Sequence, residues 1–194
     1  RIEFYTRHLT FQATERMTLE LELRRAIERD ELSLHYQPKL CLHSGHLVGA
    51  EALLRWHHPV FGDIPPDRFI PLAEDNGMIG AIDTWVLEQA CRQMVRWNAE
   101  GSTLSFVAVN VSSRLFSRGE LDQNVAGVLA ATGLPPEQLE LEVTESAIME
   151  DPDAALKLLT SLRALGVRLA IDDFGTGYSS LARLKRQIGR ASCR

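Results

Sequence analysis

Apolar residues recur along this chain in two rhythms, one of three and four residues and one of two. Glu15 to Glu28 places Leu19, Leu23, Ala26 and Ile27 at the first spacing with charges between them, which predicts an amphipathic helix. Leu32-Ser33-Leu34-His35-Tyr36-Gln37 alternates and stops at Pro38. A turn around His43-Ser44-Gly45-His46 leads into Leu47 to Trp56, and the two runs predict a β-hairpin. The second run is apolar except for Glu51 and Arg55, which share a face because four residues is an even step along a strand. His57 to Pro66 reads as a proline-rich loop, and Asp67 as the cap of a short helix through Glu74. Ile82 to Asn98 carries Trp85, Val86, Ala90, Met94 and Trp97 at helical spacing and closes at Gly101, so its aromatics read as core. Leu104 to Ser112 predicts a third strand, and Leu121 to Thr132 a helix stopped by Gly133-Leu134-Pro135-Pro136. Leu139 to Ser146 predicts a fourth strand, and Asp153 to Leu165 a helix ended by Gly166. A fifth strand starts at Arg168.

Strand and helix alternate from Gly49 onward, which implies parallel strands joined by right-handed helical crossovers, an α/β class. Chemistry in such folds gathers at the C-terminal strand ends. The bulk numbers narrow the partners. With 194 residues, 45% hydrophobic and 24% charged, one domain is expected. A net charge of −5 with scattered Lys and Arg leaves no basic footprint for duplex nucleic acid. Cys41, Cys91 and Cys193 are an odd number without metal-ligand spacing, which suggests a reducing, cytoplasmic setting. No run approaches the roughly 18 apolar residues of a membrane span, and no signal-peptide core opens the chain. Arg1 in place of Met suggests a piece cut from something longer.

Polar residues embedded in apolar strand ends are the candidate chemistry: Glu51, Asn110, Glu142 and the adjacent Asp172 and Asp173. Two neighbouring carboxylates at a strand tip repel unless a proton or a cation sits between them, and a divalent metal is the usual remedy. An alternative is that Asp173 or Thr176 simply caps a following helix. Taken together, four carboxylates and one amide oxygen are hard donors suited to two Mg²⁺ or Mn²⁺ ions. Two such ions about 3.5–4 Å apart can drive an in-line phosphoryl displacement, so phosphodiester hydrolysis is the natural reaction. Arg55 then suits a nonbridging phosphate oxygen, or else an internal salt bridge to Glu51.

Glu51-Ala52-Leu53-Leu54-Arg55-Trp56, Val109-Asn110-Val111-Ser112, Glu142-Val143-Thr144-Glu145 and Asp172-Asp173-Phe174-Gly175-Thr176-Gly177-Tyr178-Ser179-Ser180 together resemble the EAL domain of bacterial signalling proteins, in order and spacing. The resemblance implies an incomplete TIM-like (β/α)8 barrel with an antiparallel first strand. It also implies hydrolysis of cyclic di-GMP to linear pGpG with Mg²⁺ or Mn²⁺. By the same resemblance Glu51, Asn110, Glu142, Asp172 and Asp173 match metal ligands, and Gln37 and Arg55 match substrate contacts. Glu145 matches a carboxylate that positions the loop after Asp173, a loop the family uses in homodimerisation. Residues 1–18 resemble a linker from an upstream diguanylate cyclase (GGDEF) or sensory domain, and residues 19–186 a partial EAL domain of about five strands.

The pattern breaks after Arg186. Residues 187–194 carry one large apolar residue, Ile188, and read as a non-native tail that supplies no barrel strand, with Cys193 standing where the family has a lysine. A TIM-type barrel takes about 250 residues and eight strands. The expectation is therefore that the parent is a phosphodiesterase and this chain is inactive as written. The alternative is a catalytically incompetent module that binds cyclic di-GMP or serves dimerisation and regulation.

Overall fold

The computed structural model of the chain describes residues 16–172 together with Ser192 and Cys193. Its contacts group into two compact units. One takes the described residues up to Ser33 and Leu54–Ile82; the other takes Leu34–Leu53 and the described residues from Asp83 onward. Length alone suggests one domain. The division runs inside continuous elements, where no change of composition marks it.

Strands β1 (Leu32–Leu40) and β2 (Leu47–His58) are hydrogen-bonded neighbours joined by a short turn. The Cys41 amide donates to the His46 carbonyl at 2.8 Å and the Gly45 amide to the Cys41 carbonyl at 2.7 Å. Gly45 holds φ at +69°, a value open to glycine and costly for other residues, so the turn tightens there. β2 pairs antiparallel with a short strand β3 (Gly62–Ile64) and parallel with β4 (Phe106–Asn110). Parallel pairing continues through β5 (Leu139–Thr144) and β6 (Arg168–Asp172) to the two-residue β7 (Ser192–Cys193). The sheet runs β1-β2-β4-β5-β6-β7, with β3 beside β2. Val107, Val109, Leu141 and Val143 are all buried, as expected of parallel strands covered on both faces.

The first unit is built around Trp56. Its indole is buried, packs edge-on against Phe69 at 5.6 Å and donates from Nε1 to Glu31 Oε2 at 3.0 Å. Such an edge-to-face pair contributes about 0.5–1.5 kcal/mol beyond the area it buries. Leu19 and Leu23 of helix α1 (residues 16–26) and Leu72 of α2 (Pro66–Asp75) are buried in the same unit. Among the described residues, helices lie between the successive parallel strands from β2 to β6. Helix α3 (Ile79–Ala99) precedes β4, and α4 (Ser113–Arg118) and α5 (Leu121–Thr132) precede β5. Helices α6 (Glu145–Glu150) and α7 (Pro152–Ala164) precede β6.

Several boundaries differ from the sequence reading. β1 runs through Pro38 to Leu40, since β1 stands at the end of the strand order and a proline without an N–H is tolerated on an edge. Of the expected loop, residues 57–64 form a β2–β3 hairpin with Gly62 at φ +70°, and Pro66 already belongs to α2. Asp67 lies in the first turn of α2, and Pro65 is the N-cap residue with no side-chain cap bond. β5 ends at Thr144, whose hydroxyl caps α6 by accepting from the Ala147 amide at 3.3 Å, so Glu145 and Ser146 are helical. Residues 192–193 of the expected tail pair with β6, Ala170 opposite Ser192 and Ile171 opposite Cys193, which backbone groups alone can do.

Candidate active site

Register decides which side chains share a face, because parallel partners point to the same side and each strand alternates. Glu51 is level with Ala108, and Ala108 with Glu140. One pleat nearer the C-terminal tips, Asn110 is level with Glu142 and Glu142 with Ala170. One pleat further, Thr144 is level with Asp172. Each step is two residues, so Glu51, Asn110, Glu140, Glu142 and Asp172 all lie on one face of the second unit's sheet. Below them on that face Phe106 is level with Gly49, and the Arg168 guanidinium lies over the Phe106 ring at 4.8 Å. An aromatic and cationic floor thus underlies an acidic upper row.

The acidic row is closed by contacts between strands. Asn110 Nδ2 donates to Glu51 Oε1 at 2.9 Å. Lys39 of β1, buried despite its charge, donates from Nζ to Glu142 Oε1. The same ammonium lies 3.6 Å from Glu51 Oε2 and 3.8 Å from Glu140 Oε1. Burial holds the Glu142 carboxyl above the usual carboxylate range; Lys39 pulls the other way, while Glu51 and Glu140 add to the rise. A second polar contact braces the end of β4, where Ser112 Oγ donates to Asp83 Oδ2 at 2.5 Å and accepts from the Leu115 amide at 3.3 Å to cap α4.

The EAL domain family's sequence profile matches residues 20–187. The chain belongs to the EAL domain family. It is 48% identical over 183 residues to the Pseudomonas aeruginosa protein named bifunctional diguanylate cyclase/cyclic di-GMP phosphodiesterase MucR, covering 94% of this chain and 27% of that protein. To the cyclic di-GMP phosphodiesterase NbdA of the same organism it is 49% identical over 184 residues, covering 95% of this chain and 24% of NbdA. The chain therefore spans about a quarter of the length of these relatives. Among solved structures, the PaMucR phosphodiesterase in complex with c-di-GMP superposes with a TM-score of 0.85 at 50% identity, over 90% of this chain and 70% of that one. The Xanthomonas citri FimX EAL domain in complex with c-diGMP gives 0.81 at 26% identity, over 95% and 71%. The α/β fold, TIM-like in this family, and the EAL assignment made from the motifs both stand.

Of the EAL residues picked out in the sequence, Glu51, Asn110, Glu142 and Asp172 come to one face as described. Gln37 is exposed on β1, two residues before Lys39. Arg55 lies four residues beyond Glu51 in β2 and donates from Nη1 to the Leu54 carbonyl at 2.8 Å. Glu145 is buried as the first residue of α6. Asp173 and the expected dimerisation loop after it lie outside the described residues. Lys39 and Glu140 are the members of the row that the motifs did not indicate. A period-two reading of β1 carried past Pro38 puts Lys39 on the face of Gln37, but Gln37 is exposed, so the pattern does not mark Lys39 as interior.

The donor set is right in kind for a hard divalent cation: carboxylates of Glu51, Glu142 and Asp172 and the amide oxygen of Asn110, all on adjacent strands. Among the described residues no three Asp, Glu, His or Cys groups already converge as a cage. The positive charge in the row is supplied by Lys39. Among those residues no helix is long and apolar enough to cross a membrane.

Proposed function

We propose that this chain carries the catalytic face of a divalent-metal-dependent phosphodiesterase that hydrolyses cyclic di-GMP to linear pGpG. The observation that carries the reading is the register that sets Glu51, Asn110, Glu142 and Asp172 on one face of neighbouring strands. Relatives at 48% and 49% identity that bear the name cyclic di-GMP phosphodiesterase support the substrate.

Glu51, Asn110, Glu142 and Asp172, with Asp173, would hold Mg²⁺ or Mn²⁺ through oxygen donors. Bound ions would supply the charge that makes a water nucleophilic and offsets the charge gathering on the phosphoryl oxygens. The chain's own residues then orient the substrate. The Arg55 fork matches a nonbridging phosphate oxygen in geometry and charge, and Gln37 offers an exposed amide to the ligand. Water adds to phosphorus, the bond to one ribose 3′ oxygen breaks, and that oxygen leaves as a hydroxyl. Glu145, anchored in α6 next to the Thr144 cap, positions the loop after Asp173, through which the chain pairs as a homodimer. An upstream GGDEF or sensory domain in a longer, cytoplasmic protein completes the proposed assembly.

Purified protein incubated with cyclic di-GMP and Mg²⁺ or Mn²⁺, followed by chromatography of the nucleotides, tests the reading. Accumulation of pGpG that is lost in Glu51→Gln supports it and overturns the expectation from the sequence that the chain as written is inactive. Bound but unconverted cyclic di-GMP with either metal would replace the enzyme by a binding module.

A further inference from the structure

We propose that Lys39 is the built-in counter-ion of the acidic face, and that a divalent cation loads the face only by displacing the Lys39 ammonium from its carboxylates. The inference deepens the metal-dependent reading above and rests on it. Lys39 Nζ is bonded to Glu142, sits 3.6 Å from Glu51 and 3.8 Å from Glu140, and its side chain is only 8% exposed. A buried lysine in that position is held by its partners, because a buried charge without them is costly.

One ammonium is shared among three carboxylates. Those carboxylates attract a cation of higher charge, yet the ammonium and the cation repel each other at the few ångströms that separate common ligands. Both cannot share Glu51 and Glu142 at full contact. The lysine stem has four methylene carbons and can withdraw further than the shorter side chains of the strand-borne glutamates. Lys39 therefore stabilises the metal-free fold and weakens metal affinity, two effects of opposite sign from one residue. A lysine serving packing alone would produce only the first.

The test is a Mn²⁺ titration read by loss of the free-ion paramagnetic resonance signal, on wild type, Lys39→Gln and Lys39→Arg, with thermal melts in EDTA alongside. K39Q is expected to bind Mn²⁺ at least about tenfold more tightly and to melt lower in EDTA, and K39R to keep the wild-type affinity. Equal or weaker binding by K39Q, with wild type binding normally, overturns the role of Lys39 and leaves the metal site standing. No Mn²⁺ binding by any of the three overturns both. Should K39Q fail to fold, the wild-type lysine ¹⁵Nζ resonance decides: it is expected to shift and to exchange its protons with water faster on Mg²⁺ saturation, and an unmoved Lys39 signal in Mg²⁺-loaded protein contradicts the proposal.

Discussion

The Asn110 amide donates to Glu51 Oε1 at 2.9 Å, joining two residues 59 positions apart on adjacent parallel strands. This bond presents the Glu51 carboxylate and the Asn110 oxygen on one side of β2 and β4. Asn110→Asp replaces the donor with a second negative charge facing Glu51. Without metal, N110D is expected to lose about 1 kcal/mol of stability, because a hydrogen bond to a charged group is exchanged for repulsion between partly solvated carboxylates. Added Mn²⁺ is expected to restore more of that loss than it gives the wild type. Urea melts with and without Mn²⁺ check both halves, and an unchanged metal-free midpoint would separate Asn110 from Glu51 energetically.

Trp56 and Glu31 form the polar contact inside the first unit's core. Glu31→Ala leaves a buried indole N–H without its acceptor and is expected to cost about 1–3 kcal/mol. Glu31→Gln keeps an acceptor oxygen and is expected to cost less than half of that. The comparison is a pair of denaturant curves, and equal losses in the two variants would mean that packing rather than the hydrogen bond matters.

Gly49 is set by a close approach. A Cβ there would lie 2.7 Å from the ring of buried Phe106, which in turn carries the Arg168 guanidinium. Gly49→Ala is expected to destabilise the protein by about 1–3 kcal/mol through overpacking, and G49A with Phe106→Leu to recover part of it. Calorimetric melts of the two variants give the answer, with no recovery in the double variant counting against a local clash.

Tyr36 packs edge-on against Trp97 at 4.8 Å, and burial pushes its phenol up to about 12. The usual tyrosine value is about 10. The folded protein therefore favours the neutral phenol, and its contribution to stability, whole below pH 10, is lost as pH rises from about 10 through 12. The difference in absorbance at 295 nm between wild type and Tyr36→Phe is expected to titrate near pH 12. A midpoint near 10 would place the ring in water.

The parallel strands and their polar tips were legible because burial on both faces leaves continuous apolar runs, as in Phe106 to Val109, broken sharply by Asn110. Short elements were not. β3 has three residues and α4 and α6 have six each, too few for periodicity to register. Thr144 does signal the change from strand to helix, but as a single capping hydroxyl inside a run that still looks like a strand. Lys39 was hidden for a different reason. A lysine just after a proline at a strand edge reads as a solvated end, and only its three carboxylate neighbours, 12, 101 and 103 positions further along, make it interior.

The central claim is geometric: oxygens of Glu51, Asn110, Glu142 and Asp172 meet a common divalent site on one face of the sheet. Crystals of the protein grown with Mn²⁺, measured at the manganese absorption edge, test it directly. The account predicts anomalous peaks within bonding distance, about 2.0–2.3 Å, of oxygens from at least three of these residues, with Lys39 Nζ withdrawn from Glu142. Peaks elsewhere, or a manganese-loaded protein in which Lys39 still holds Glu142 and the four side chains bind nothing, would contradict it.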